Sequence, residues 1–243
     1  MTCNVRRHTF VGVKARVRPL RLQRIAVLFL FAFFAVTSSG ADTRSAECES
    51  SRDSTYFLQL YTGLASETDF GPSLFFAIER AEERTYYDGL SIGRRIGTSL
   101  LGVKADVIGY LGVQNFRERG FQPDSYGVTL YWKAYREWSP SLLPAYLPLR
   151  FGLGQGLSYV SRIPVVEQRD FEPRNSAQTV HYLEWTLQVP VSGLLRAVGL
   201  TESHTSKKWW IGYSIFHRST VFGAFADAPG GVNYPGVTLE VVF

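Results

Sequence analysis

From residue 54 onward, large apolar side chains recur at every second position, in segments separated by glycine-, proline- and charge-bearing stretches. In "STYFLQLYTGL", 54–64, Tyr56, Leu58, Leu60 and Thr62 alternate with Phe57, Gln59, Tyr61 and Gly63. A period of two is the side-chain repeat of a β-strand, whose successive residues point to opposite faces. The same alternation predicts strands over 87–96, 102–114, 126–138, 149–160, 176–189, 208–219 and 236–243. The stretch 71–85, "GPSLFFAIERAEERT", reads as part of a long first loop with a helical turn.

Each of these eight segments has one apolar face and one polar or glycine face. Leu183, Trp185, Leu187 and Val189, for example, oppose Tyr182, Glu184, Thr186 and Gln188. Gln155 interrupts the apolar face of its segment. Transmembrane barrels turn such faces outward, with strands of about ten residues and aromatic girdles. A soluble eight-stranded barrel would turn them inward, and alternation fits both. The large aromatics on the apolar faces favour the membrane form, as does Phe243 in phase with Val237, Leu239 and Val241. The expected fold is all-β, an eight-stranded antiparallel transmembrane β-barrel of the bacterial outer membrane spanning 54–243. Single-chain bacterial barrels have even strand numbers, which keeps 71–85 out of the sheet. With both termini in the periplasm, the exterior loops are 65–86, 115–125, 161–175 and 220–235. The periplasmic connections are then 97–101, 139–148 and 190–207. Asp106, Glu184, Glu240 and Arg94 are expected inside, paired in a barrel too narrow for a channel.

Charge supports export. Residues 1–41 hold seven Lys and Arg, no acid, the apolar run "IAVLFLFAFFAV" at 25–36 and the small-residue exit "TSSGA". That is the pattern of a secretory signal peptide, cleaved after Ala41 and followed by a polar segment at 42–53. Twelve apolar residues fall short of the roughly 20 that a membrane helix needs. Without those seven cations the 26 basic residues become 19, against 21 acidic, a formal −2. Nucleic acid is therefore not an expected partner. Cys48 is then alone and cannot form an internal disulfide. No metal-ligand spacing occurs, and no cofactor is expected.

One strand end carries candidate chemistry. Trp209, Ile211, Tyr213 and Ile215 share the apolar, lipid-facing side of their segment, and His217 and Ser219 continue it at the extracellular end. Polar groups facing hydrocarbon are costly and usually functional. Serine becomes a nucleophile when an adjacent base takes its proton, and histidine is the commonest base. Asn233, in phase with Val237, lies at the outer end of the last strand, within reach of His217. His181 shares the outward parity near the rim without a partner, and His204 falls in a periplasmic connection.

The stretch "HRSTVFGAFADAPGGVNYPG", 217–236, resembles the PagL-type lipid A 3-O-deacylases, outer-membrane barrels with a lipid-facing His–Ser–acid site. The resemblance implies a serine ester hydrolase of lipid A with His217 as base and Ser219 as nucleophile. Asn233 stands where that family has Glu, and Thr220 where it has an Asn associated with the oxyanion hole. Expected partners are the lipopolysaccharide of the outer leaflet and, through Phe243, the barrel-assembly machinery. Two other readings stand beside it: a non-catalytic structural or adhesive outer-membrane barrel, and a secreted soluble barrel holding a small apolar ligand.

Overall fold

The alternating segments do form strands, and the strands close. The computed structural model describes residues 55–170, 177–200, 208–220 and 231–243, and the expected leader lies outside them. The strands are β1 (Tyr56–Leu64), β2 (Tyr86–Leu100), β3 (Val103–Arg117), β4 (Ser125–Trp138), β5 (Leu149–Val160), β6 (Thr179–Pro190), β7 (Lys208–Ser219) and β8 (Gly231–Val242). Each pairs antiparallel with the next, and β8 returns to β1 to complete an eight-stranded barrel. Tyr56 and Phe243 exchange backbone hydrogen bonds of 2.8 and 3.0 Å at the seam. Three short helices lie in connections: α1 (Phe70–Ser73), α2 (Val165–Asp170) and α3 (Val191–Ala197).

Inward positions are polar or aromatic, and they fill the barrel. Glu184 accepts from Lys133 Nζ at 2.8 Å, Gln59 Nε2 at 2.7 Å, Ser214 Oγ at 3.0 Å and Tyr182 OH at 2.7 Å. One layer away, Glu240 pairs with Arg150 and accepts from Tyr135 and from Tyr110 at 3.0 Å. The Arg150 guanidinium lies between the rings of Tyr135 and Trp210, at 4.2 and 4.3 Å. At the long-loop end Arg218 donates Nε to Glu167 of α2 at 2.5 Å, and Val166 beside it is buried. Glycines on β5 make room for this filling. A Cβ at Gly156 would meet the Tyr131 Cα at 2.5 Å.

Outward positions are apolar and exposed: Leu60, Leu90, Ile92, Leu111, Leu130, Leu157 and Val237. Tyr56, Trp138, Trp209 and Phe243 ring the end that carries residues 56 and 243, and Tyr86, Tyr126 and Tyr159 ring the other. Polar inside, apolar outside, with two aromatic belts, is the arrangement of a membrane-spanning barrel. With Lys133, Glu184 and Glu240 filling the interior, an apolar ligand of the soluble type has no place there. Among the described residues no helix is long and apolar enough to cross a membrane.

Several expectations shift. Strands β2 and β3 run longer than their apolar patterns, leaving a two-residue turn in which Leu101 and Gly102 both have positive φ, 51° and 80°. That is the twist-matched hairpin turn. Strand β8 begins at Gly231 rather than 236, because "GVNYP" lacks the apolar alternation while still pairing with β7. Pro235 falls just past the last β1–β8 pair, Gly63–Gly236. Arg94 is not interior and lies exposed on the outer wall. Asp106 keeps the inward parity of its partner Tyr135 and is paired, with Arg95 at 3.4 Å, but at the half-exposed turn end of the barrel rather than deep inside. The long 190–207 connection opens as α3.

Removing one partner of a buried pair leaves an uncompensated charge. Glu184→Leu is expected to lower unfolding free energy in phospholipid vesicles by about 3–5 kcal/mol. Adding Lys133→Met should restore most of it. Equal loss in the single and double variants would mean the pair does not set interior stability.

Candidate active site

The phase of β7 is set from inside. Trp210, Ser214, Phe216 and Arg218 point inward and are buried, with Ser214 on Glu184 and Arg218 on Glu167 and, at 2.6 Å, Ser158 Oγ. Side chains alternate, so Tyr213, Ile215, His217 and Ser219 point out of the barrel, as the sequence predicts. Register then sets the neighbours. His217 lies opposite Asn233 on β8, while Ser219 lies opposite Gly231 on β8 and His181 on β6.

Asn233 does more than sit near. Its Nδ2 donates to the Thr68 carbonyl at 2.7 Å, and its Oδ1 is 2.7 Å from His217 Nδ1. A backbone carbonyl only accepts, so the amide is oriented with its NH2 toward Thr68 and its oxygen toward the imidazole. That oxygen also only accepts, so neutral His217 carries its proton on Nδ1 and its lone pair on Nε2. Nε2 lies over Gly231. A Cβ there would come within 2.7 Å of it, and Gly231 is the cross-strand partner of Ser219. The ring thus spans from Asn233 to the Ser219 row in the tautomer a general base requires.

The face is outward but not bare. Beyond β1 the chain continues as a strap. Ser66 N donates to Asn233 O at 2.9 Å, and α1 then lies against the outside of β7. Phe70 packs on His217 with ring centroids 5.3 Å apart, and Phe76 on Tyr213 at 4.7 Å. Tyr213 OH donates to Ser73 O at 3.1 Å. Asn233 and Ile215 are consequently buried although their parity is outward. The sequence places 65–86 in a loop, and alternation carries no sign that it folds back over the wall. Arg169, in the last turn of α2, ties the strap by pairing with Glu67 at 2.7 Å and Glu83 at 3.0 Å.

His181 was the missed neighbour: the sequence assigns it no partner, whereas register sets it directly across from Ser219. The pairing offset between β6 and β7, joined by a connection too long to fix their register, would have had to be known to find it. Thr220 follows Ser219 and is buried. His204 lies outside the described residues. Among the described residues no three His, Cys, Asp or Glu are placed to hold a metal ion.

The strap's anchors can be ranked by amide exchange over 66–76. Asn233→Leu removes the Thr68 bond and should speed exchange roughly tenfold. Arg169→Ala removes partly exposed pairs and should speed it only a few-fold. The hydrogen bond from Arg169 holds the Glu67 carboxyl below the usual range. Because that carboxyl is held low, its tie to Arg169 is full at neutral pH and is lost only in acid, as pH falls through the lowered Glu67 range. Corrected exchange rates that stay flat down to pH 3 would remove Glu67 from the anchor.

No protein family matches the chain. No curated protein matches it either. Among solved structures, the N-terminal β-barrel domain of Pseudomonas aeruginosa OprF is similar, with a TM-score of 0.37 and 12% identity over 78% of this chain and 97% of that one.

Proposed function

We propose that the chain is a Gram-negative outer-membrane barrel that hydrolyses an acyl ester of lipid A, with Ser219 as nucleophile and His217 as base. The observation that carries this reading is the His217–Asn233–Thr68 chain, which leaves Nε2 unprotonated beside the Ser219 row on the outer wall. Ser219 Oγ attacks the ester carbonyl as its proton passes to Nε2. The sugar hydroxyl then leaves with that proton, and water, deprotonated by the same nitrogen, releases the fatty acid from the acyl-serine. Thr220, in the place of the Asn that the resembled family associates with the oxyanion hole, is assigned to support the oxyanion.

Asn233 sets the tautomer but brings no negative charge, so the imidazolium formed during attack is less stabilised than beside a carboxylate. The proposed enzyme is correspondingly slow. Phe70 must swing off His217 for an acyl ester to enter. The expected leader, the outward apolar wall and the girdles favour delivery to the outer membrane, with lipid A as partner and Phe243 read by the assembly machinery. A second reading rests on the strap itself: His217 and Asn233 could serve only to anchor it, in a barrel without catalysis.

Mass spectrometry of lipid A from cells expressing wild type, Ser219→Ala and His217→Phe separates the two. The hydrolase reading predicts loss of a 3-linked acyl chain with wild type and a drop of roughly 10³-fold or more in both variants. Intact lipid A with folded wild type would leave the anchor reading. Deacylation that persists in Ser219→Ala would remove the assigned nucleophile.

A further inference from the structure

The outer wall carries a second polar patch, away from β7. Along β8, β1, β2 and β3 runs a groove of about 760 Å³. Its lower part is aliphatic, with Leu239, Leu60, Leu90 and Val113 at successive cross-strand positions. One register step toward the long-loop end the chemistry changes to Thr62, Asp88 and Asn115. Thr62 Oγ1 donates to Asp88 at 2.9 Å, and Arg117 Nε pairs with Asp88 at 2.7 Å. Arg119 adds a second cation on Tyr86, which is the cross-strand partner of Arg117.

Aliphatic side chains on this wall need no explanation, but an ion pair does. Two details point to an occupant. The Asn115 Oδ1 is buried without a hydrogen-bond partner, and native structures satisfy such atoms. Arg117 pairs with Asp88 through Nε, and its side chain is 60% exposed, which leaves the guanidinium accessible to an anionic headgroup. Two guanidiniums against one carboxylate leave the patch cationic.

We infer that this groove binds one phosphorylated glycolipid of the lipid A type, its acyl chains along Leu60, Leu90 and Val113 and its phosphate on Arg117. A sugar hydroxyl or amide N–H would satisfy Asn115 Oδ1, which an ionised phosphate, itself only an acceptor, cannot. Strand β8 lines the groove through Val237 and Leu239 and carries Asn233 of the candidate active site. Resting on the hydrolase reading, the groove would hold the part of the substrate that does not react. Arginine favours phosphate through its planar, paired donors.

The test uses purified full chain carrying Ser219→Ala in detergent, so that no turnover intrudes. Native mass spectrometry follows retention of bisphosphorylated lipid A, its phosphatase-treated form and phosphatidylglycerol. Folding of every variant is checked by heat-modifiable gel migration. One retained lipid A is expected, with affinity falling about tenfold or more in Arg117→Gln, and for the dephosphorylated lipid. Leu90→Trp, which fills the groove without touching the charges, should also lower retention. Equal retention by the parent, Arg117→Gln and Leu90→Trp overturns the site, and phosphatidylglycerol bound as tightly as lipid A overturns the glycolipid assignment. Failure of the hydrolase reading looks different: lipid A bound at the groove and never cleaved by wild type. Cleavage by wild type with unchanged KM in Arg117→Gln would instead sink the groove alone.

Discussion

Two buried carboxylates, Glu184 and Glu240, set the phase of the whole barrel. Each lies at full burial and each is matched by a cation and by hydroxyl or amide donors from other strands. A slip of one residue in any contributing strand would turn its donor to the membrane and strand a carboxylate in a dry interior. Inside being fixed, outside is fixed as well. Arg218 is held inward by Glu167 and Ser158, so His217 and Ser219, on either side of it, are committed to the outer wall.

From that commitment the site follows by register alone. Antiparallel pairing sets Asn233 beside His217 and Gly231 beside Ser219. Glycine is what the geometry needs there, since the imidazole edge occupies the space a Cβ would take. The Thr68 carbonyl then decides the chemistry at a distance. By taking the amide NH2 of Asn233 it leaves only the amide oxygen for the histidine, which settles where the imidazole proton resides. An asparagine lacking that partner could present its NH2 instead and yield the opposite tautomer.

Strand identity, strand number and the outward parity of His217, Ser219 and Asn233 were legible in the sequence, because a period of two survives wherever one face meets lipid and the other a packed interior. Legibility failed where that contrast disappears. The Gly231–Pro235 stretch of β8 lies beneath the strap, so its outward residues need not be apolar, and its alternation is lost. Arg94 was misplaced because a charge near a strand end can face water from either side of the sheet. The strap over β7 and the approach of His181 to Ser219 depend on contacts between segments far apart in the chain, which local periodicity does not encode.

The measurement that bears most directly on the account is the protonation of the His217 ring. In chain labelled with ¹⁵N-histidine and held in detergent at neutral pH, His217 should show a pyrrole-type Nδ1 and a pyridine-type Nε2. In Asn233→Leu it should revert toward the mixture of a free imidazole. A proton on Nε2 in the unmodified chain would contradict the account, because the nitrogen facing the Ser219 row would then have no lone pair with which to take a proton.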